Sequence, residues 1–143
     1  AVDLLLHPDA DLITEVLESH SNDPISCIFV DEAQFLPPVQ VDGLFKLTTP
    51  PTEIPVMAYG LRGDFQTQGF PGSIRLMELA DVIKEIRTIC SCGRNATLNA
   101  RMIDGEFVRE GSQVAIDGVA EVAYQSLCKT CYTEKVGPIS SSL

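Results

Sequence analysis

The sequence predicts an α/β protein in two parts, a mixed helix-and-strand region over residues 1–89 and a small β-rich region over residues 90–143. Three observations predict it. Helical spacing alternates with short apolar runs up to Ile89; beyond Cys90 the stretches are short and alternating, with turn signals such as Asp104-Gly105; and two close cysteine pairs bracket that second region.

Asp11 to Glu18 carries apolar residues at the i, i+1, i+4, i+5 spacing of a helix face, and Asn22-Asp23-Pro24 ends it. Ile25 to Val30 is too short and too apolar for a surface helix and predicts a buried parallel strand. Pro37-Pro38 opens a second helix, with Val39, Leu44, Phe45 and Leu47 expected to face the sheet, and Pro50-Pro51 closes it. Ile54 to Tyr59 is the next strand, with Pro55 near its start, where a missing donor does least harm. Gly60 to Gly72 then gathers four glycines around Phe65, Phe70 and Arg62, a loop that presents aromatic faces. Ser73 is expected to cap a helix running through Val82, and Lys84 to Ile89 to form a further short strand.

A formal charge of −10 excludes a broad, sequence-independent grip on nucleic acid, because that affinity comes from Lys and Arg neutralising phosphates. No apolar stretch approaches the length of a membrane span. The opening residues lack the basic start and long apolar region of a signal peptide, so a cytoplasmic protein is expected.

Ile28-Phe29-Val30 runs directly into Asp31 and Glu32. Ligands of open α/β sheets bind outside the carboxyl ends of the strands, and an acidic pair there suits metal-assisted phosphoryl transfer: one carboxylate supports Mg²⁺ while the next accepts a proton. The competing reading is that the two merely cap a strand and begin a turn. Cys90/Cys92 and Cys128/Cys131 flank the β-rich region, and four thiolates on two turns can converge on one tetrahedral zinc. Two disulfides or chance clustering are the alternatives; zinc is favoured in a chain without a secretion signal. Cys27, alone in an apolar run, reads as a small buried hydrophobe.

Taken in order, Phe29-Val30-Asp31-Glu32-Ala33-Gln34-Phe35, Tyr59-Gly60-Leu61-Arg62-Gly63-Asp64-Phe65, Cys90-Ser91-Cys92-Gly93-Arg94 and Tyr124-Gln125-Ser126-Leu127-Cys128-Lys129-Thr130-Cys131 resemble the type II thymidine kinases over nearly the whole chain. The resemblance implies a P-loop-kinase-like parallel sheet flanked by helices, with a zinc-binding C-terminal "lasso" domain. It implies transfer of the ATP γ-phosphate to the 5′-hydroxyl of thymidine or deoxyuridine, with structural Zn²⁺ and catalytic Mg²⁺. Glu32 matches the general base, Asp31 the residue supporting Mg²⁺, and Asp31, Glu32, Ala33 and Gln34 together a nucleotide-contacting segment. Phe65 and Tyr124 match nucleoside-contacting residues, and Gln113, Val114, Ala115, Ile116 and Asp117 match the lasso stretch that reads the base through its backbone. A homotetramer and feedback inhibition by thymidine triphosphate are implied in the same way.

Two features depart from the family pattern. Asp117-Gly118 stands where many members carry two glycines, and no G-x-x-x-x-G-K-[ST] phosphate loop occurs. The expectation is therefore that an N-terminal part precedes Ala1 and that this fragment alone phosphorylates thymidine poorly. A non-catalytic, zinc-stabilised interaction module is the competing reading, since it needs no phosphate loop.

Overall fold

The computed structural model describes residues 3–113 and 121–139. Two compact units emerge, Ala1–Arg62 with Phe70–Val82, and Gly63–Gly69 with Ile83–Leu143. The result is a mixed α/β architecture of four helices and small sheets among the described residues.

In the first unit, helix α1 (Leu12–Ser19) starts where Asp11 accepts a hydrogen bond from the Ile13 N–H, satisfying a donor that the first helical turn leaves open. Strands β1 (Ile28–Val30) and β2 (Val56–Ala58) pair in parallel, with Ile28 opposite Val56 and Val30 opposite Ala58. Helix α2 (Pro38–Leu47) forms the crossover that a parallel pair requires, with Pro at a first-turn position where its missing N–H costs nothing. Leu12 and Val16 of α1 bury against Leu44 and Leu47 of α2, and Ile28, Val30 and Val56 pack onto that cluster. A parallel pair is therefore present, but only two strands form it among the described residues, and both are shorter than expected.

Several local expectations are corrected. The buried face of α2 runs through Gln40, Val41, Leu44 and Leu47, whereas Val39 is 72% exposed and Phe45 is also exposed. Starting the helix at Pro38 turns Val39 outward; Gln40 turns inward, and its Nε2 donates to the carbonyls of His7, Pro8 and Ala10. Within β1 the middle residue, Phe29, points to solvent rather than being buried. Helix α3 spans Pro71–Leu79, beginning earlier and ending earlier than expected. Ser73 does not cap it; its hydroxyl donates to the Leu61 carbonyl at 2.6 Å.

The second unit is an antiparallel assembly. Strands β3 (Thr88–Ile89) and β4 (Asn95–Ala96) form a small hairpin, and only the last two residues of the expected Lys84–Ile89 strand are extended partners. Strands β5 (Leu98–Ile103), β6 (Glu106–Val108) and β7 (Val122–Leu127) form a sheet in the order β6-β5-β7. Asp104 and Gly105 both take positive φ, 50° and 84°, which is the backbone that a two-residue hairpin turn demands. Helix α4 (Lys129–Lys135) follows directly on β7, capped by the Cys128 thiol. No helix among the described residues is long and apolar enough to cross a membrane.

Candidate functional site

The acidic pair lies at the carboxyl end of β1, as the sequence implies. Asp31 and Glu32 are both exposed, and Asp31 Oδ1 accepts from the Glu32 N–H at 2.9 Å. Glu32 itself is left-handed, φ 50° and ψ 36°, a conformation that costs a residue bearing a Cβ roughly 1–2 kcal/mol. Such a backbone persists only when its surroundings fix it. Here the fixing elements are visible. Ala33–Phe35 form a tight 3₁₀ turn, the Ala33 N–H donates to the Tyr59 carbonyl at 2.8 Å, and the turn is flanked by two glycines.

Those glycines are not interchangeable. A Cβ added at Gly72 would come within 2.2 Å of the Leu36 carbonyl oxygen, and one at Gly60 within 2.6 Å of the Gln34 side-chain oxygen. Gln34 is 3% exposed and uses both ends of its amide: Oε1 accepts from the Leu61 N–H at 3.1 Å, and Nε2 donates to a carboxylate oxygen of Glu32. The buried amide thus orients the exposed carboxylate. Sequence reasoning placed Gln34 among nucleotide-contacting residues; its orienting bond to Glu32 depends on packing that no local pattern reveals.

In the second unit the four predicted cysteines converge. Cys90 and Cys92 lie on the β3–β4 turn, Cys128 and Cys131 at the start of α4, and their sulfur atoms all lie within 4.8 Å of one another. All five cysteines of the chain are free thiols, so the disulfide alternative is not realised. Tetrahedral zinc with bonds of about 2.3 Å sets sulfurs about 3.8 Å apart. The Cys92–Cys128 separation is 3.6 Å, so the donor set fits the ion in both chemistry and spacing.

The local backbone prepares these thiols for a cation. The Cys90 N–H donates to Arg94 O, and Gly93 closes the turn at φ 85°. Backbone N–H groups of Cys92 and Cys128 pull the Cys90 thiol down to about 6, toward the thiolate that binds metal. Cys131 moves the other way, to about 12, because it shares its proton with Cys92 and Cys128. Arg94 adds a positive neighbour, its Nε donating to Cys92 Sγ at 3.4 Å and its Nη1 to Thr130 Oγ1 at 2.8 Å. It thereby braces the exposed ligand against α4.

The residues matched to nucleoside contacts also gather in this unit, around a side chain the sequence did not single out. Arg101 is 3% exposed. Its guanidinium carbon lies 3.8 Å from the Phe65 ring centroid and 5.4 Å from that of Tyr124. Nε donates to Tyr124 Oη at 3.0 Å, and the two terminal nitrogens donate to the carbonyls of Ser112 and Gln113 at 2.7 and 2.8 Å. Phe65 is 1% exposed, with its carbonyl accepting from Tyr132 Oη at 2.6 Å, whereas Tyr124 is 57% exposed. The Gln113 amide donates to Asp64 Oδ2 at 3.0 Å, and Asp64 Oδ1 in turn accepts from the N–H groups of Gln66 and Gln68. Val114, Ala115, Ile116 and Asp117 lie outside the described residues.

Comparison with known proteins agrees with these features. The family model described as thymidine kinase matches residues 5–132. A thymidine kinase of Pasteurella multocida is 44% identical over 92% of this chain and 68% of its own length. Thymidine kinases of Mesorhizobium japonicum and Ruegeria pomeroyi are 46% and 44% identical, over 89% and 91% of this chain and 61% and 65% of theirs. The chain thus spans about two thirds of the length of these relatives. With a family match over most of its residues and relatives this similar, the chain belongs to the thymidine kinase family.

Proposed function

We propose that the complete protein phosphorylates thymidine or deoxyuridine at the 5′-hydroxyl, with Glu32 as general base. ATP is the second substrate, supplying the γ-phosphoryl group, and Mg²⁺ neutralises charge on its phosphates. In the reaction a bond forms between the 5′-oxygen and the γ-phosphorus, the bond to the β-phosphate oxygen breaks, and the hydroxyl proton passes to the Glu32 carboxylate. Asp31 suits the metal, because Mg²⁺ takes carboxylate oxygens with several waters retained, and this carboxylate is exposed and fixed by the Glu32 N–H. Zinc is proposed as a structural ion held by Cys90, Cys92, Cys128 and Cys131.

The observation that carries this reading is the Glu32 turn. An exposed carboxylate at the end of a parallel strand, in a strained backbone and oriented by a buried amide, is built to present a base. Phe65, Gln113 and Tyr124 are assigned to the nucleoside, as is the 114–117 stretch, and Ala33 and Gln34 with the acidic pair to the nucleotide. By the same family likeness the protein is a cytoplasmic homotetramer with a P-loop-type sheet, inhibited by thymidine triphosphate.

Glu32→Gln in the complete protein tests the central assignment. Turnover is expected to fall about 10²- to 10⁴-fold, while thymidine binding measured by isothermal titration changes less than about threefold. Wild-type turnover in that variant would remove Glu32 from the role.

A further inference from the structure

Arg101 and Tyr124 are direct cross-strand partners of β5 and β7, so their side chains rise from the same face of the sheet. Asn99, two residues earlier on β5, shares that face and donates to the Gly63 carbonyl at 3.2 Å. The glycine-bounded loop from Gly63 to Gly69 is thereby fastened to the sheet, with Phe65 under the guanidinium. Each of the three guanidinium nitrogens donates to a partner: a phenol and two consecutive main-chain carbonyls. Among its described partners none is a carboxylate. Burying a cation with only neutral acceptors and ring faces is costly, and the planar fork of Arg is the one side chain that meets this set of partners at once.

We propose that Arg101 is the positioning residue for recognition of the nucleoside base, fixing the Phe65 and Tyr124 rings relative to one another and to the carbonyls of Ser112 and Gln113. This rests on the nucleoside kinase reading above. The ligand class is a planar pyrimidine, for which the exposed Tyr124 ring, held through the guanidinium to the buried Phe65, supplies the matching surface. Lysine keeps the charge but has neither the plane that stacks on Phe65 nor the fork that spans three acceptors. The effect of Arg101 is therefore exerted on base affinity, with the phosphoryl-transfer step unaltered.

The test uses the complete protein with Arg101→Met, Arg101→Lys and Tyr124→Phe, alone and combined. Losing a charge-assisted hydrogen bond and its stacking is expected to raise the KM for thymidine about tenfold or more in both Arg101 variants. The KM for ATP and kcat are expected to stay within about threefold. Adding Tyr124→Phe to Arg101→Lys is expected to raise the thymidine KM no further, because the phenol's effect is exerted through the guanidinium. An unchanged thymidine KM, a parallel rise in the KM for ATP, or multiplicative effects in the double variant would each overturn the proposal. If Arg101→Met fails to fold, judged by zinc content and thermal denaturation, the Arg101→Lys and Tyr124→Phe pair decides alone. A wild-type protein that phosphorylates no nucleoside sinks the function itself, and this inference with it; an active wild type with indifferent Arg101 variants sinks only the inference.

Discussion

The two units organise their chemistry in opposite ways. Around Glu32 the carboxylate proposed as base is exposed, and precision comes from backbone: a left-handed residue and a tight turn pressed between Gly60 and Gly72. In the second unit the frame is largely antiparallel sheet, and precision comes from converging side chains, four thiols on one hand and buried Arg101 on the other. A site made by close backbone approach is broken by adding an atom. One made by side-chain convergence is broken by removing a partner.

Removal of the proposed zinc should have the largest effect. Three of the seven buried residues in the second unit's core are cysteines, Cys90, Cys128 and Cys131, so the ligands proposed for the ion are also much of the apolar interior. Structural zinc sites contribute apparent free energies of about 10–16 kcal/mol near neutral pH. A chelator under reducing conditions is expected to abolish hydrogen-exchange protection of β5 and β7 while α1 and α2 keep theirs. Mild acid acts in the same direction, since each ligand must be a thiolate to bind. Equal loss of protection in both units would show that the two share one stability, and retained protection in β7 would show that this core holds without an ion.

Adding atoms to the first unit comes next in size. Gly72→Ala drives a methyl group against the Leu36 carbonyl, which is backbone and has little freedom to yield, so a loss of about 3 kcal/mol is expected in denaturant unfolding. Gly60→Ala meets the Gln34 side-chain oxygen first, at 2.6 Å, and then the main-chain nitrogens of Gln34 and Ala33 at 3.0 and 3.2 Å, so a side-chain shift relieves only the closest contact. Its stability loss is expected to be smaller than that of Gly72→Ala, with turnover reduced as well, because a displaced Gln34 releases the Glu32 carboxylate. Similar stability losses in the two variants would show that the Gln34 amide is held as rigidly as the main chain.

What the sequence disclosed follows the same division. Features set by neighbouring residues were legible: the amphipathic spacing of α1, the Pro-opened α2, the apolar run ending in Asp31 and Glu32, the Asp104-Gly105 turn, and the cysteine pairs. Features set by distant partners were not. Arg101 in a short strand looks like any solvent-facing Arg, because the groups that enclose it, the 63–69 loop, the Ser112 and Gln113 carbonyls and Tyr124 of β7, are distant in sequence. That loop follows β2 in sequence and yet packs with the second unit, so its membership is invisible to a reading along the chain. Ser73 shows the same limit. A serine near a helix start suggests a cap, but the Leu61 carbonyl, twelve residues earlier, supplied a better partner.

The smallest expected effect bears most directly on how the Glu32 turn is held. Glutamate at φ 50° sits in a region where glycine carries no steric cost, so Glu32→Gly should relieve strain even as it deletes the proposed base. The carboxylate it removes is exposed, and water can replace it as the acceptor for Gln34 Nε2, so little stabilisation is lost with it. The chain gains backbone freedom when unfolded, which offsets part of the relief. A net rise in unfolding free energy of about 1 kcal/mol is expected, together with loss of turnover at least as deep as in Glu32→Gln. Stability gained and catalysis lost at one position is the signature of a backbone strained for function. A fall in the denaturation midpoint would mean that the left-handed turn is comfortable for glutamate, and that the carboxylate's bond to Gln34 holds the turn rather than the turn holding the carboxylate.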